Sequence, residues 1–378
     1  MSHSVIDALF DQLEASINKD AGTPLSDGAA PIYIYGAGNV GKDVFRVLKR
    51  HGLTVAGFLD RSGKPGAAWE GAPIFLPDDP ALSSSERKRS HVVIGLFNYL
   101  TDAAAIETLL ASLGYGRVSS FAEIHDRYGA ELGDRYWMTS RAVYRAEKER
   151  IVAAYEILSD EPSRKLFTQV LRSRFLKDAS ALPAPDPATQ YFPPGLPAWP
   201  SPVRFVDCGA FDGDTLRQFI ERGLPIEAIA AFEPDPANFR QLAKCISSEP
   251  FKSTTSCLFP CGVGATLSQV RFSAGFGTGS QISDQGEIMI QCVSLDESLA
   301  GFRPNMIKMD IEGAEYDALV GAKQIIEEHR PALAICVYHR ADHLWSIPLL
   351  AEKYLGGARH YLRLHAYHAL DLVNYVLP

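Results

Sequence analysis

The chain has 378 residues, of which 45 are acidic and 37 basic, giving a formal charge of −8. A negative field of that size disfavours polyanions, so nucleic acid is excluded as an expected partner. No apolar run approaches the roughly 20 residues needed to cross a bilayer, and the balance of 46% hydrophobic and 22% charged residues is that of a soluble globular chain long enough for two domains.

The opening MSHSVIDALFDQLEASI has no basic region before an apolar core, so it does not read as a secretory signal. Ile6, Leu9, Phe10, Leu13 and Ile17 recur at helical spacing. Residues 1–29 therefore predict an amphipathic helix that docks on the protein or on a partner. Over residues 30–125 strands and helices alternate. PIYIYGAG is a strand entering a glycine turn, VGKDVFRVLKRHG a helix stopped by Gly52, and TVAGFLD a second strand. HVVIGLFNY is a later strand, and TDAAAIETLLASLG a helix that Thr101 or Asp102 can cap. The order is that of a Rossmann-like α/β domain with a mostly parallel sheet.

Within it GAGNVG places Gly36, Gly38 and Gly41 between a strand and a helix, and Asp60 ends the next strand 19 residues beyond Gly41. Glycines there let a phosphate approach the backbone and the helix N-terminus, while an acid at that distance suits a ribose hydroxyl. This turn supports a competing reading of the chain as an NAD-dependent oxidoreductase or a nucleotide-sugar-binding protein. A tight helix–strand contact is the structural alternative.

Residues 126–180 carry helical spacing interrupted at Asp160-Glu161-Pro162 and read as a helical connector. ALPAPDPATQYFPPGLPAWPSP, residues 181–202, is too rich in proline for a helix or central strand and reads as a linker, from which Tyr191, Phe192 and Trp199 could pack onto a domain surface. All six cysteines lie beyond it, none in a CxxC pair, which points to buried free thiols in a reducing, cytoplasmic setting.

From residue 203 to 378 the alternation restarts. VRFVDCGAF, AIAAFEPD, TSCLFPCGVG, MIKMDIEG and ALAICVYH are five strands separated by helices, and HYLRLHAYHALDLVNYVLP predicts an antiparallel hairpin that closes the sheet. The fold class is therefore α/β, two doubly wound domains. The second glycine turn, FVDCGAFDGDT, surrounds Gly209, Ala210 and Gly213 with Asp207, Asp212, Asp214 and Thr215. Three acids would repel a pyrophosphate but suit S-adenosylmethionine, whose sulfonium and ammonium are cationic. Glu233, followed by Pro234, stands 20 residues beyond Gly213, where it can accept ribose hydroxyls, and Gly262 and Val263 end the third predicted strand where an adenine edge would lie.

FVDCGAFDGDT, AFEPD, VSLDE and IKMDIEGAEYDAL together resemble the FkbM family of S-adenosylmethionine-dependent methyltransferases over residues 203–378. The resemblance implies a class I methyltransferase fold and O-methylation, often of a saccharide or natural-product hydroxyl. Asp310 would then emerge beside the transferring methyl, with Glu312 and Glu315 near the start of the following helix. His339, where the fifth strand leaves the sheet, is the candidate general base, with Asp310 orienting the base or the substrate. Asp310, Glu312 and a histidine holding Mg²⁺ is the alternative way to activate the hydroxyl. His343 and Trp345 fall in a predicted polar loop, Trp345 as a platform for a sugar ring. In the closing hairpin, alternation puts His365 and Tyr367 on one face and His368 on the other. The expected acceptor is a small molecule or glycan, and self-association is left open.

Overall fold

The computed structural model describes residues 2–20, 25, 30–274, 281–282 and 286–378. They divide into two compact units, one of residues 1–148, 165–185 and 366–370, the other of 149–164, 186–365 and 371–378.

The first unit begins with helix α1, Ser2–Asp20. Its face of Ile6, Leu9, Phe10 and Leu13 is buried, with the Phe10 ring 5.1 Å from that of Phe175. The side chain of Ile17 and most of residues 21–29 lie outside the described residues. Strands β1 (Ile32–Tyr35), β2 (Val55–Leu59), β3 (Ala68–Trp69), β4 (Ala72–Phe75), β5 (His91–Ile94) and β6 (Arg117–Ser119) form one sheet in the order β3-β4-β2-β1-β5-β6. Every pairing is parallel except that of β3 with β4. Successive strands thus leave β1 on opposite sides, the arrangement that opens a crevice at the strand ends. β1 and β5 are buried along their whole length, as central strands of a parallel sheet are.

Helices α2 (Asn39–Arg50), α3 (Ser84–Arg89), α4 (Ala103–Ser112), α5 (Phe121–Leu132) and α6 (Arg141–Ala146) complete this unit's crossovers, and α7 (Lys148–Glu156) and α8 (Glu161–Leu176) follow. Of the two caps offered for α4, Asp102 is the one used, accepting from the Ala105 N–H. The expected break at Asp160 is present, and the Asp160 carboxylate accepts the Ser163 N–H at 2.9 Å.

The second unit holds a seven-stranded sheet ordered β16-β17-β15-β14-β7-β8-β9. Its strands are β7 (Val203–Cys208), β8 (Ile226–Phe232), β9 (Thr255–Phe259), β14 (Met306–Met309), β15 (Ala332–Cys336), β16 (Arg359–Leu364) and β17 (Leu372–Leu377). Five are parallel, and β17 runs antiparallel to both β15 and β16, so the expected closing hairpin is there. Helices α9 (Asp214–Glu221), α10 (Pro236–Ile246), α11 (Leu295–Ser298), α12 (Glu315–Val320), α13 (Lys323–His329) and α14 (His343–Leu355) provide the crossovers.

The structure departs from the sequence reading at three places. TSCLFPCGVG is not one strand: Pro260 has no N–H to donate, and the chain leaves the large sheet there. It enters a small sheet of β10 (Gly262–Val263), β11 (Ser268–Ser273), β12 (Gln281–Ile282) and β13 (Ile288–Val293), ordered β10-β13-β11-β12. Residues 149–164, inside the expected helical connector of residues 126–180, group with the second unit. Ser159 N donates to His360 O at 2.8 Å, and Arg363 meets Asp160 at 2.7 Å, so this segment lines the β16 edge. The expected polar loop after β15 is mostly helix α14, in which Trp345 is 0% exposed. A fully buried indole cannot serve as a sugar platform.

The first glycine turn sorts its glycines by job. A Cβ on Gly41 would stand 1.9 Å from the Gly36 carbonyl oxygen, whereas one on Gly38 would meet nothing within 4 Å. Gly41→Ala should therefore lower the unfolding free energy by about 1–3 kcal/mol, and Gly38→Ala should leave it within about 0.5 kcal/mol. Urea unfolding of both variants checks this; equal stabilities would refute the assignment.

Candidate active site

Strands β14, β7 and β8 are neighbours, so the segments that follow them meet at one end of the sheet. A Cβ on Gly209 would lie 2.0 Å from the Asp310 carbonyl oxygen, and Gly209 has φ +83°; the closeness of the β14 end by itself demands glycine. Gly209 N and Ala210 N both donate to Phe232 O at 3.0 Å. Gly213, φ +89°, leads into α9 with its Cα against Cys245. Asp214 is exposed there, while Thr215 is fully buried and its hydroxyl meets no partner among the described residues.

Glu233 closes this turn from the side. Its two carboxylate oxygens accept from Phe211 N and Asp235 N, each at 2.8 Å. Burial pushes its carboxyl up to about 7, against the amide donors of Asp235 and Phe211, which favour the charge. Pro234 sits half-buried between Glu233 and Asp235, and Asp235 caps α10 by accepting from Ala237 N and Asn238 N. The Asn238 side chain donates to Glu233 as well, and the acceptor capacity left beyond these three bonds is what a ribose hydroxyl would use.

Asp207 was expected to meet a cofactor cation and does not face the crevice. It is 0% exposed, and its Oδ1 lies 3.0 Å from the ammonium of Lys308, a lysine buried in β14 that the sequence reading passed over. Lys308 also donates to Gly209 O at 2.6 Å. Burial would strip the lysine of its proton, but Asp207 outweighs that and raises its pKa. Burial also pushes Asp207 up to about 6, with Lys308 pulling the other way, so both are charged at neutral pH. Asp207 therefore anchors the glycine turn through Lys308.

Past β14, Asp310 is partly exposed at 24%. Its Oδ2 accepts from the Tyr191 hydroxyl at 2.8 Å, and its Oδ1 lies 3.6 Å from His339 Nε2. Glu312, held at φ +53°, places its carboxylate 3.6 Å from the same nitrogen. The other nitrogen, His339 Nδ1, faces Glu315 Oε1 at 2.7 Å. Glu315 is fully buried; it also meets His343 Nδ1 at 3.2 Å and accepts from Ile311 N at 2.8 Å. Burial alone would lower the His339 pKa, yet Glu315 first, then Glu312 and Asp310, push it up to about 10. That rise favours the protonated ring, which weakens the expected role of His339 as general base, because a group that keeps its own proton does not take another.

Burial raises Glu312 to about 7, with His339 opposing, and Asp371 to about 6, helped by Asp310. The triad Asp310, Glu312 and histidine is not a group whose ligand atoms all lie within 4.8 Å of one another, although each acid lies 3.6 Å from Nε2. The one group among the described residues with ligand atoms within 4.8 Å of one another is Asp310, Glu315 and His339. In it both histidine nitrogens already face carboxylates, so a cation would have to displace the ring proton.

The remaining candidates are placed elsewhere. His343 opens α14 at 1% exposure and Trp345 fills the core. Gly262 and Val263 are buried in the small sheet, paired with Cys292 and Val293. His365 is tied to Asp186 O at 2.8 Å and to the Tyr375 hydroxyl at 2.9 Å. The β16 strand ends at Leu364, so alternation does not govern Tyr367 and His368, which lie in a 3₁₀ turn with His368 at φ +60°. In the first unit, Gly36 and Gly41 make the tight turn described above, and Asp60 at the end of β2 accepts from Ala37 N at 2.8 Å. Asp60 Oδ1 is occupied by Ser62 N and Oγ at 2.8 and 2.6 Å. All six cysteines are free thiols, and no helix among the described residues is long and apolar enough to cross a membrane.

Residues 207–368 match the family model of the methyltransferase FkbM domain. Among solved structures, the crystal structure of methyltransferase FkbM from Methylobacillus flagellatus KT superposes with a TM-score of 0.77 at 22% identity, covering 98% of this chain and 100% of that one. That likeness establishes the fold of the whole chain. A SAM-dependent methyltransferase from Leishmania major aligns over 66% of this chain and 89% of its own at 12% identity, with a TM-score of 0.28 too low to carry an argument. No curated protein matches the sequence.

The Glu315–His339 pair gives a pH signature. A histidine raised from 6.5 contributes stability in full below the lower value, and the contribution fades as pH rises toward about 10. Glu315, lowered from its ordinary 4.5 with His339 overcoming the effect of burial, contributes above that value and loses its contribution in acid. Urea unfolding should show wild-type stability declining between about pH 6.5 and 10. Glu315→Gln should flatten that decline and lower stability at pH 6 by about 3 kcal/mol. A wild-type profile flat over this range would rule out the ion pair.

Proposed function

We propose that this chain, whose residues 207–368 form a methyltransferase FkbM domain, methylates a hydroxyl of a sugar, glycan or related polar metabolite with S-adenosylmethionine as donor. The observation that carries this reading is the junction of three strand ends. Glu233 is bonded to the glycine turn through Phe211 N, and Asp310 is bonded to Cys208 O by its own N–H at 3.0 Å.

The residues fit the cofactor. Gly209 and Gly213 bare the backbone at the two ends of the turn, Thr215 has a hydroxyl with no partner among the described residues, and Glu233 has acceptor capacity for a ribose. Bound S-adenosylmethionine supplies an electrophilic methyl: the C–O bond to the acceptor forms as the C–S bond breaks, and sulfur keeps the electron pair.

In this reading Asp310 receives the hydroxyl proton: of the two partly exposed carboxylates past β14 it is the more exposed, at 24% against 19% for Glu312, and the raised pKa of His339 favours a ring that keeps its own proton. His339 holds Asp310 and Glu312 toward one another across Nε2, and Glu315 fixes the ring from behind through Nδ1. Acid–base help of this kind contributes on the order of 10²–10⁴ in rate.

Isothermal titration with S-adenosylmethionine tests the cofactor arm. Wild type should bind, and Glu233→Ala should weaken binding by about 10-fold or more, the worth of hydrogen bonds to a charged group. Absence of wild-type binding, or undiminished binding by the variant, overturns the reading.

A further inference from the structure

The proline-rich residues 186–202 belong to the second compact unit, and one of them reaches its centre. Tyr191 is 3% exposed although its backbone has φ +66°, a left-handed conformation that a bulky residue adopts only under constraint. The constraints are visible. Its N–H donates to the Tyr375 hydroxyl at 3.0 Å, and its carbonyl accepts from Trp199 Nε1 at 2.8 Å. Tyr375 is in turn held by His365 Nε2 at 2.9 Å.

With the backbone fixed, two of the side chain's contacts bear on the site, while its hydroxyl also meets Gln190 Nε2 at 3.4 Å and Cys336 Sγ at 3.8 Å. The hydroxyl donates to Asp310 Oδ2 at 2.8 Å. The ring lies 5.4 Å from the Lys308 ammonium, covering the cation that holds Asp207 and the glycine turn. Packing alone would not require the hydroxyl. A phenylalanine would fill the same space, whereas the O–H fixes one oxygen of a carboxylate that has two soft torsions. With Oδ2 taken by Tyr191 and Oδ1 beside the His339 ring, the Asp310 carboxylate plane is set from two sides.

We infer that Tyr191 is a positioning residue for methyl transfer, reaching from the proline-rich strap to aim the Asp310 carboxylate at the acceptor hydroxyl. The inference rests on Asp310 being the proton acceptor proposed above. The strap is accordingly part of the active unit.

The test uses the full chain as wild type, Tyr191→Phe, Asp310→Asn and the double variant. Each is assayed with methyl-¹⁴C-labelled S-adenosylmethionine and a polar and lipid-linked glycan extract of the source cells as acceptor. Tyr191→Phe should lower kcat about 10- to 100-fold, as misaimed catalytic groups do. The KM for S-adenosylmethionine should stay within about twofold, because the cofactor contacts are untouched. In the Asp310→Asn background the same change should have no further effect, since its route is already broken. Thermal melts monitor folding, and Tyr191→3-fluorotyrosine, which keeps ring and hydroxyl and alters only acidity, should shift the rate without shifting the melt.

A wild-type rate in Tyr191→Phe, a loss that multiplies with that of Asp310→Asn, or an unchanged rate with fluorotyrosine overturns the positioning role alone. A wild type that transfers no label overturns the methyltransferase reading, and this inference with it.

Discussion

Lys308 and Asp207 face each other across the middle of the C-terminal sheet, as direct partners in the β14–β7 register. Both are buried, and separating either from the other would leave an uncompensated charge in the core, which costs about 3–5 kcal/mol. The pair therefore does more than hold two strands. Because side chains alternate along a strand, a slip of one residue would turn Lys308 to the opposite face. The same slip would turn Asp310, two residues on, away from the site. The ammonium also binds Gly209 O, so a single cation ties the strand register to the shape of the glycine turn.

That constraint explains why the rim can be so acidic. Glu315, Glu312 and Asp310 all face His339 and raise its pKa, and its ring in turn eases the burial of Glu312 and Asp371. Glu315 is matched by two histidines, and its backbone donors add to the match. Glu312 and Asp371 are left under-compensated, which is why burial drives their carboxyls upward. Such a rim stores protons when empty of cations and favours any positive group brought into it.

Much of the large sheet was legible because parallel strands buried on both faces read as continuous apolar runs ended by glycine or acid. The alternation of strands and helices along the chain, the closing hairpin and the Asp160 break all follow from local signals of this kind. Glu233 was found by its spacing from the glycine turn. Lys308 was missed for the opposite reason: a lysine inside MIKMD reads as an interruption, and only the register shows that it stands against Asp207. The small sheet was missed although SQVRFS and EIMIQCV alternate, because Pro260 was read through instead of as a strand end. His339 was read as a general base without the three carboxylates that raise its pKa, because they come from the segment after β14 and spacing along the chain does not bring them to the ring.

The proline-rich segment shows where sequence reasoning stops for physical cause. Proline fixes φ and forbids helix and sheet ladders, so composition says what the segment cannot be and nothing about where it goes. Its course is set by bonds to distant residues instead: Tyr191 N to the Tyr375 hydroxyl at 3.0 Å, and Arg222 to Ala188 O at 2.8 Å. Each pairs a strap atom with a group that local propensity cannot foresee. Stiffness is what makes such a strap useful, because a residue with few backbone states loses little entropy when pinned. A flexible glycine-rich segment could reach the same place, but it would hold Tyr191 against Asp310 only part of the time. A carboxylate that must meet one hydroxyl in line with one methyl gains from the rigid version.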